Sequence, residues 1–194
     1  MQTLSGIARH SQDVKKSRFT AVAGPVSDEA AARDFLTRHA DASANHNCWA
    51  WSFGQNQRFN DDGEPSGTAG KPILAAIMGR QLDGVVVIVS RWFGGVLLGS
   101  GGLVRAYGGT VAQCLDLADK VQLIRRTKIR FDVSFGDLAL VKARIERTAG
   151  AVIEAEQFTD HGACLDCALP EESADAVATA LLDLTRGRMG VHRP

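Results

Sequence analysis

Between Gly94 and Gly109 the sequence places seven of its 20 glycines. Arg91 stands just before this run and Arg105 inside it. Backbone N–H groups of a glycine-rich turn that feeds a helix N-terminus form an anion site, and guanidinium groups beside it add charge. Arg91, Gly94, Gly95, Gly99, Gly101, Gly102 and Arg105 are thus candidate phosphate-binding residues. The same glycines would equally serve a tight turn that needs positive φ. Trp92 and Phe93 could stack on a base, as in readers of single strands, or pack under the turn.

A second basic cluster, Arg125, Arg126, Lys128 and Arg130, offers a phosphate-backbone patch or a solvated strand edge. Asp61, Asp62 and Glu64 form an acidic loop that could hold a divalent cation, but the spacing is not that of an EF-hand. Capping of local N–H groups is the simpler use of such carboxylates, and no resident metal or cofactor is expected. His46 is a possible general base with no identifiable nucleophile; a hydrogen-bonded structural histidine is the alternative.

Two familiar nucleotide motifs fail on detail. A P-loop ending at position 72 needs Gly at 65 and Ser or Thr at 72, and Pro stands at both. The turn Gly99-Ser100-Gly101-Gly102-Leu103-Val104 lacks the third glycine of a dinucleotide fingerprint. Cys164 and Cys167 differ in strand parity, which opposes joint zinc ligation or a redox pair.

The elements that must position these residues follow from hydrophobic periodicity. A short strand over 19–26 leads to a helix over about 28–39, with Ser27 as its expected N-cap. Residues 48–53 read as an aromatic strand, with Trp49, Trp51 and Phe53 directed to the core. Residues 55–70 read as a polar loop, and Lys71-Pro72 opens a second helix. Val85 to Val89 is the pattern of a strand buried on both faces. A helix then runs from about 102 to 118; Gly108 and Gly109 inside it cost about 1 kcal/mol each, which suggests close packing.

Residues 119–126 read as a polar connection. Beyond it come a strand (128–135), a helix (138–148), two strands (151–159 and 163–169) joined by a turn at Asp160-His161-Gly162, and a helix (173–185). A last short strand is expected at 189–191. The expected class is α+β with two domains, 1–119 and 120–194, the second having the β-α-β-β-α order of a ferredoxin-like fold.

Composition narrows the function. The 194 residues carry 22 basic and 22 acidic side chains, so no net field attracts DNA generally and any nucleic-acid site must be local. A hydrophobic fraction of 45% supports a packed core. No apolar run approaches the roughly 20 residues of a membrane span. The amino terminus lacks a signal-peptide pattern, and the four cysteines suit reduced thiols, so the expected location is the cytoplasm.

Lys16-Ser17-Arg18-Phe19, His46-Asn47-Cys48, the run from Asp61 to Gly70, the run from Arg91 to Gly99, and Gly101 to Tyr107 form a set of specific segments. Together they resemble the IMPACT family, in its YigZ-like bacterial branch. The resemblance spans residues 15–118. It implies a first domain like ribosomal protein S5 domain 2 and a second of ferredoxin-like, elongation factor G type. It also implies a translation-linked regulatory protein that binds RNA, the ribosome or translation factors; charge balance and the short apolar runs add the expectation of no DNA specificity and no membrane. Two alternatives stand beside that role. One is a Mg²⁺-dependent enzyme on a small phosphorylated molecule, with Asp61, Asp62 and Glu64 on the metal and Lys71 on a phosphate, since small-molecule kinases share the S5-like fold. The other is a protein-interaction module using Trp49, Trp51, Trp92 and Phe93.

Overall fold

The computed structural model describes residues 1–193, which form two compact units dividing between Leu123 and Ile124. The first contains β1 (Gln2–Leu4), β2 (Ala8–Val14), β3 (Ser17–Pro25), α1 (Glu29–His39), β4 (His46–Phe53), β5 (Asn56–Asn60), α2 (Gly70–Met78), β6 (Val85–Trp92), α3 (Ser100–Leu117) and β7 (Lys120–Gln122). Five strands form an antiparallel sheet in the order β2-β3-β6-β4-β5.

Strand β6 is central and buried on both faces, as its continuous β-branched run requires. Val85, Val87 and Val89 pack with Phe19, Ala21, Cys48 and Ala50 beneath α2 and α3. Val86 and Ile88 meet Val22, Trp51 and the Ala32 and Phe35 side chains of α1 on the opposite face. The sheet is therefore covered on both sides, and the alternation in β4 does not separate core from solvent. Cys48 and Ala50 enter the larger cluster, while Trp51 enters the smaller one and stacks on Trp49 at 4.5 Å. Because Trp51 is fully buried, the four aromatics named above do not form one exposed docking patch.

Four local expectations are corrected. The N-cap of α1 is Asp28, whose Oδ1 accepts from the Ala31 amide at 2.8 Å, while Ser27 donates to Asp28. The segment 55–70 is not all loop: β5 lies inside it as an edge strand whose five residues are all exposed, so no apolar alternation marks it. The segment 119–126 contains β7, which pairs with β1 and so belongs to the first unit, placing the break later than residue 119. Gly108 and Gly109 answer no close approach, since an added Cβ would stand 3.8 Å from Pro72 and 3.8 Å from Gln12.

The second unit holds β8 (Arg126–Ser134), α4 (Phe135–Glu146), β9 (Val152–Thr159), β10 (Gly162–Pro170), α5 (Ala174–Leu184) and β11 (Gly190–His192). Its antiparallel sheet runs β11-β8-β10-β9. Ile129, Phe131, Val133, Leu165 and Leu169 pack against Val141, Ile145, Val177 and Leu181 of the two helices, so both helices share one face. Cys167 points into that core, whereas Cys164 lies on the opposite face, directly across from Asp132.

Candidate ligand cleft beside the glycine-rich turn

Arg91 sits at the end of β6, opposite Phe19 on β3 and His46 on β4. Its strand parity turns the side chain inward. It is 5% exposed, and its Nη1 donates to Glu64 Oε1 at 2.6 Å. The guanidinium lies between the rings of Phe19 and Phe93, at 5.5 and 5.6 Å from their centres. The expectation of a solvent-facing Arg91 is thus corrected: β6 is covered on that side by α3, and the charge is neutralised internally.

Glu64 Oε1 also accepts from the Tyr107 hydroxyl at 2.7 Å. Cys48 Sγ lies 3.3 Å from that hydroxyl and 3.0 Å from the Asp61 carbonyl, either of which can take its single S–H. Burial pushes the Cys48 thiol up to about 12 and raises the Tyr107 hydroxyl beyond its usual range. Neither group is a nucleophile or base near neutral pH. His46 Nδ1 lies 2.7 Å from the Asp62 carbonyl oxygen. A carbonyl can only accept, so Nδ1 carries the hydrogen and the neutral ring keeps its lone pair on Nε2. Nε2 is 4.0 Å from Glu64 Oε1.

The acidic loop is internally spent. Asp61 accepts from the amides of Gly67, Ala69 and Gly70, and so caps α2 in place of Ala69, which has no capping side chain. Burial works to raise the Asp61 carboxyl, but those three N–H groups hold it below its ordinary value. Asp62 accepts from the Asn47 amide at 2.6 Å. With Glu64 committed to Arg91 and Tyr107, the three carboxylates face different partners. No group of three metal-ligating side chains converges among the described residues. The Mg²⁺-enzyme alternative loses its ligand set on this geometry. Lys71 is exposed in the first turn of α2 and is not part of the cleft wall.

The turn itself is anchored at one end only. The Phe93 amide donates to Asn45 Oδ1 at 2.7 Å, and the Gly94 amide to Ser17 Oγ at 3.2 Å. Gly94 has to be glycine, because a Cβ there would stand 1.9 Å from the Lys16 carbonyl oxygen. Gly95 and Gly99 take φ of +81° and +72°. Gly99 precedes α3 without a side-chain cap, and the first helical bond is Leu103 N–H to Gly99 C=O. The amides of Ser100, Gly101 and Gly102 therefore have no partner among the described residues. Arg105 is exposed and folds back over this turn, its Nη1 3.5 Å from where a Gly101 Cβ would be.

Beside the turn lies a cleft of about 390 Å³. His46, Glu64 and Arg91 form its polar floor; Phe93, Leu97, Leu98 and Leu103 form apolar walls; Gly99 and Ser100 bring the start of α3 to its edge. Phe93 is 47% and Leu97 84% exposed. Sequence reasoning did not assign Lys15 and Lys16 to this site. They form the two-residue turn between β2 and β3, both with positive φ, and both are exposed. The signal was present in the two strand patterns flanking Lys15-Lys16, but nothing in the sequence placed that hairpin against Gly94.

The second basic cluster is arranged differently. Arg130 makes a two-point bond to Asp166 at 2.7 and 3.0 Å, Lys128 lies 3.2 Å from Glu154, and Arg126 donates to the Gly150 carbonyl at 2.6 Å. Arg125 is exposed, and its carbonyl accepts from the Glu171 amide. Lys128 and Arg130 are thus charge-balanced by carboxylates on β9 and β10, whereas Arg126 bonds a neutral carbonyl.

Residues 15–115 match the Impact N-terminal domain, and residues 131–188 match a domain of unknown function, DUF1949. An IMPACT family member from Thermus thermophilus is 42% identical over 180 residues, covering 92% of this chain and 98% of that protein. YigZ of Escherichia coli is 34% identical, covering 92% of this chain and 90% of its own. The Protein IMPACT homolog of Dictyostelium discoideum is 34% identical over 94 residues, 44% of this chain and 27% of that protein. A crystal structure of a hypothetical protein superposes with a TM-score of 0.75 at 30% identity, over 100% of this chain and 96% of the other. With both segments matched in order and several relatives aligned over nearly the whole length, the chain belongs to the IMPACT family.

Proposed function

We propose that this protein is a translation-linked, cytoplasmic RNA- or ribosome-binding regulator. It meets phosphate through the first turn of α3 and not through Arg91. The observation that carries this reading is the group of three unpartnered amides at Ser100, Gly101 and Gly102, overhung by Arg105. Helix N-termini with unpaired N–H groups attract anions, and the arginine adds a charge that salt will screen. Exposed Lys15 and Lys16 on the hairpin that abuts Gly94 extend the positive surface. The fold reading belongs to the same proposal. A first domain like ribosomal protein S5 domain 2 suits the three-layer arrangement. A ferredoxin-like second domain is supported by the β-α-β-β-α-β sequence with its fourth strand beside the first.

The test is retention of single-stranded RNA by the full chain across a salt series. Affinity should fall as salt rises, and Arg105→Ala combined with Lys16→Ala should weaken binding and flatten the salt slope by about one counterion per lost contact. Absence of RNA retention at low salt, or binding indifferent to the double variant, would overturn the proposal.

A further inference from the structure

We infer that Met78 is a site of reversible oxidation, where a hydroperoxide converts the thioether to a sulfoxide and two neighbouring donors hold the new oxygen. The inference does not depend on the phosphate contact proposed above. It concerns the other end of β4, near Ser52, whereas His46 at the start of that strand faces the cleft. Met78 is the last residue of α2, and its carbonyl accepts from the Gln81 amide at 2.9 Å. The backbone below the side chain is therefore fixed. The side chain is 45% exposed and lines a cavity of about 490 Å³, so a small peroxide reaches the sulfur from solvent.

Two hydrogen-bond donors converge on that sulfur. Gln57 Nε2 donates to Met78 Sδ at 3.2 Å, and Ser52 Oγ donates to the same atom at 3.8 Å. Ser52 and Gln57 stand directly opposite each other on β4 and β5, so their side chains share a face of the sheet. Ser52 is 2% exposed, and its buried hydroxyl has this thioether as its acceptor. A thioether accepts weakly. A sulfoxide is polar, and its oxygen is a far better acceptor in nearly the same place. Oxidation disrupts an ordinary packed methionine; here both donors gain a stronger partner.

The step consumes one hydrogen peroxide and releases one water. A sulfur lone pair forms the S–O bond while the O–O bond breaks, and sulfur gives up two electrons. The departing hydroxide takes the proton left on the transferred oxygen and leaves as water. Charge develops on the peroxide oxygens as they part, within reach of the Ser52 O–H and the Gln57 N–H. Met189, 6% exposed in the core of the second unit, has no such access.

The test treats the full chain with hydrogen peroxide beside N-acetylmethionine as an internal standard, and counts sulfoxide by peptide mass mapping. Met78 should react at least as fast as the standard although it is half-covered. Gln57→Glu keeps the shape of the side chain, and the ionised carboxylate has no hydrogen to give. This variant should slow Met78 by about fivefold, the factor that one ordinary hydrogen bond carries. Gln57 is exposed on an edge strand, so the circular dichroism spectrum should not change. Ser52→Ala should slow the reaction in the same direction. The oxidised wild-type chain should unfold at the denaturant midpoint of the reduced chain or above it, and oxidised Gln57→Glu below its own reduced form. Oxidation of Met78 slower than the standard, a rate indifferent to both variants, or a lowered midpoint for the oxidised wild type would each overturn the inference.

Discussion

Arg91 and Glu64 form an ion pair of 2.6 Å with both side chains almost wholly removed from solvent. Tyr107 donates to Glu64 at 2.7 Å and Ser17 Oγ lies 3.5 Å from Arg91 Nη2, while Arg91 Nε is buried without a partner among the described residues. Breaking such a pair from one side leaves an uncompensated charge, which costs about 3–5 kcal/mol. Glu64→Leu and Arg91→Met should each destabilise the first unit by that order. The double variant should recover much of the loss, because neither charge is then stranded. Urea unfolding of the three variants checks this; additive losses would show that the pair is not coupled.

Gly94 and Gly108 should respond oppositely to alanine. At Gly94 the new Cβ would stand 1.9 Å from the Lys16 carbonyl oxygen, so the β2–β3 hairpin or the turn must shift. A loss of about 1–3 kcal/mol or more is expected from such overpacking. At Gly108 the Cβ would make ordinary contact at 3.8 Å with Pro72 inside a helix. Gly108→Ala should therefore raise stability by about 0.5–1 kcal/mol. Thermal melts of both variants decide the matter.

Asp61 links stability to pH. Its folded-state carboxyl lies below the ordinary value, so its contribution is full above that value and is lost as pH falls through the lowered one. Asp61→Asn should cost about 0.5–2 kcal/mol near neutrality, in the manner of a lost N-cap. The gap between wild type and variant should close in acid. Denaturant midpoints measured from pH 7 downward test the sign; a gap that widens in acid would contradict it.

Thiol chemistry should be slow and selective. Burial raises Cys48 and Cys167 to about 12 and Cys114 to about 11. Cys164 is partly exposed, and its hydrogen bond to Asp132 raises it as well. A thiol reagent should modify Cys164 first, slowly, and reach the others only on unfolding. Asp132→Asn should accelerate the first reaction. Rapid labelling of more than one cysteine in the folded chain would refute this.

The layers were legible where burial writes a pattern into the chain. The five-residue run ending at Val89 announced a strand covered on both faces, and the order of elements after residue 126 announced the second sheet. Strand β5 was invisible because an exposed edge needs no apolar alternation, and β1 and β7 because three residues carry no period. At the cleft, sequence pointed to the glycine turn and to Arg105. It could not tell which way Arg91 faced: that depends on Glu64, 27 positions earlier, being brought to the same side of the sheet by the loop that Asp61 pins. The hairpin at Lys15-Lys16 meets Gly94 for the same reason, a contact between segments distant in sequence.

The outer face of the second sheet carries two opposed couples, Lys128 with Glu154 and Arg130 with Asp166. Each couple cancels within a few ångströms, far inside the roughly 8–10 Å over which physiological salt extinguishes a field. To an approaching polyanion this face is electrically quiet, neither beckoning nor repelling. On the proposed function, long-range guidance of such a partner would fall to the cations around Lys16 and Arg105, and a collision that begins on the quiet face should dissolve before it becomes a complex.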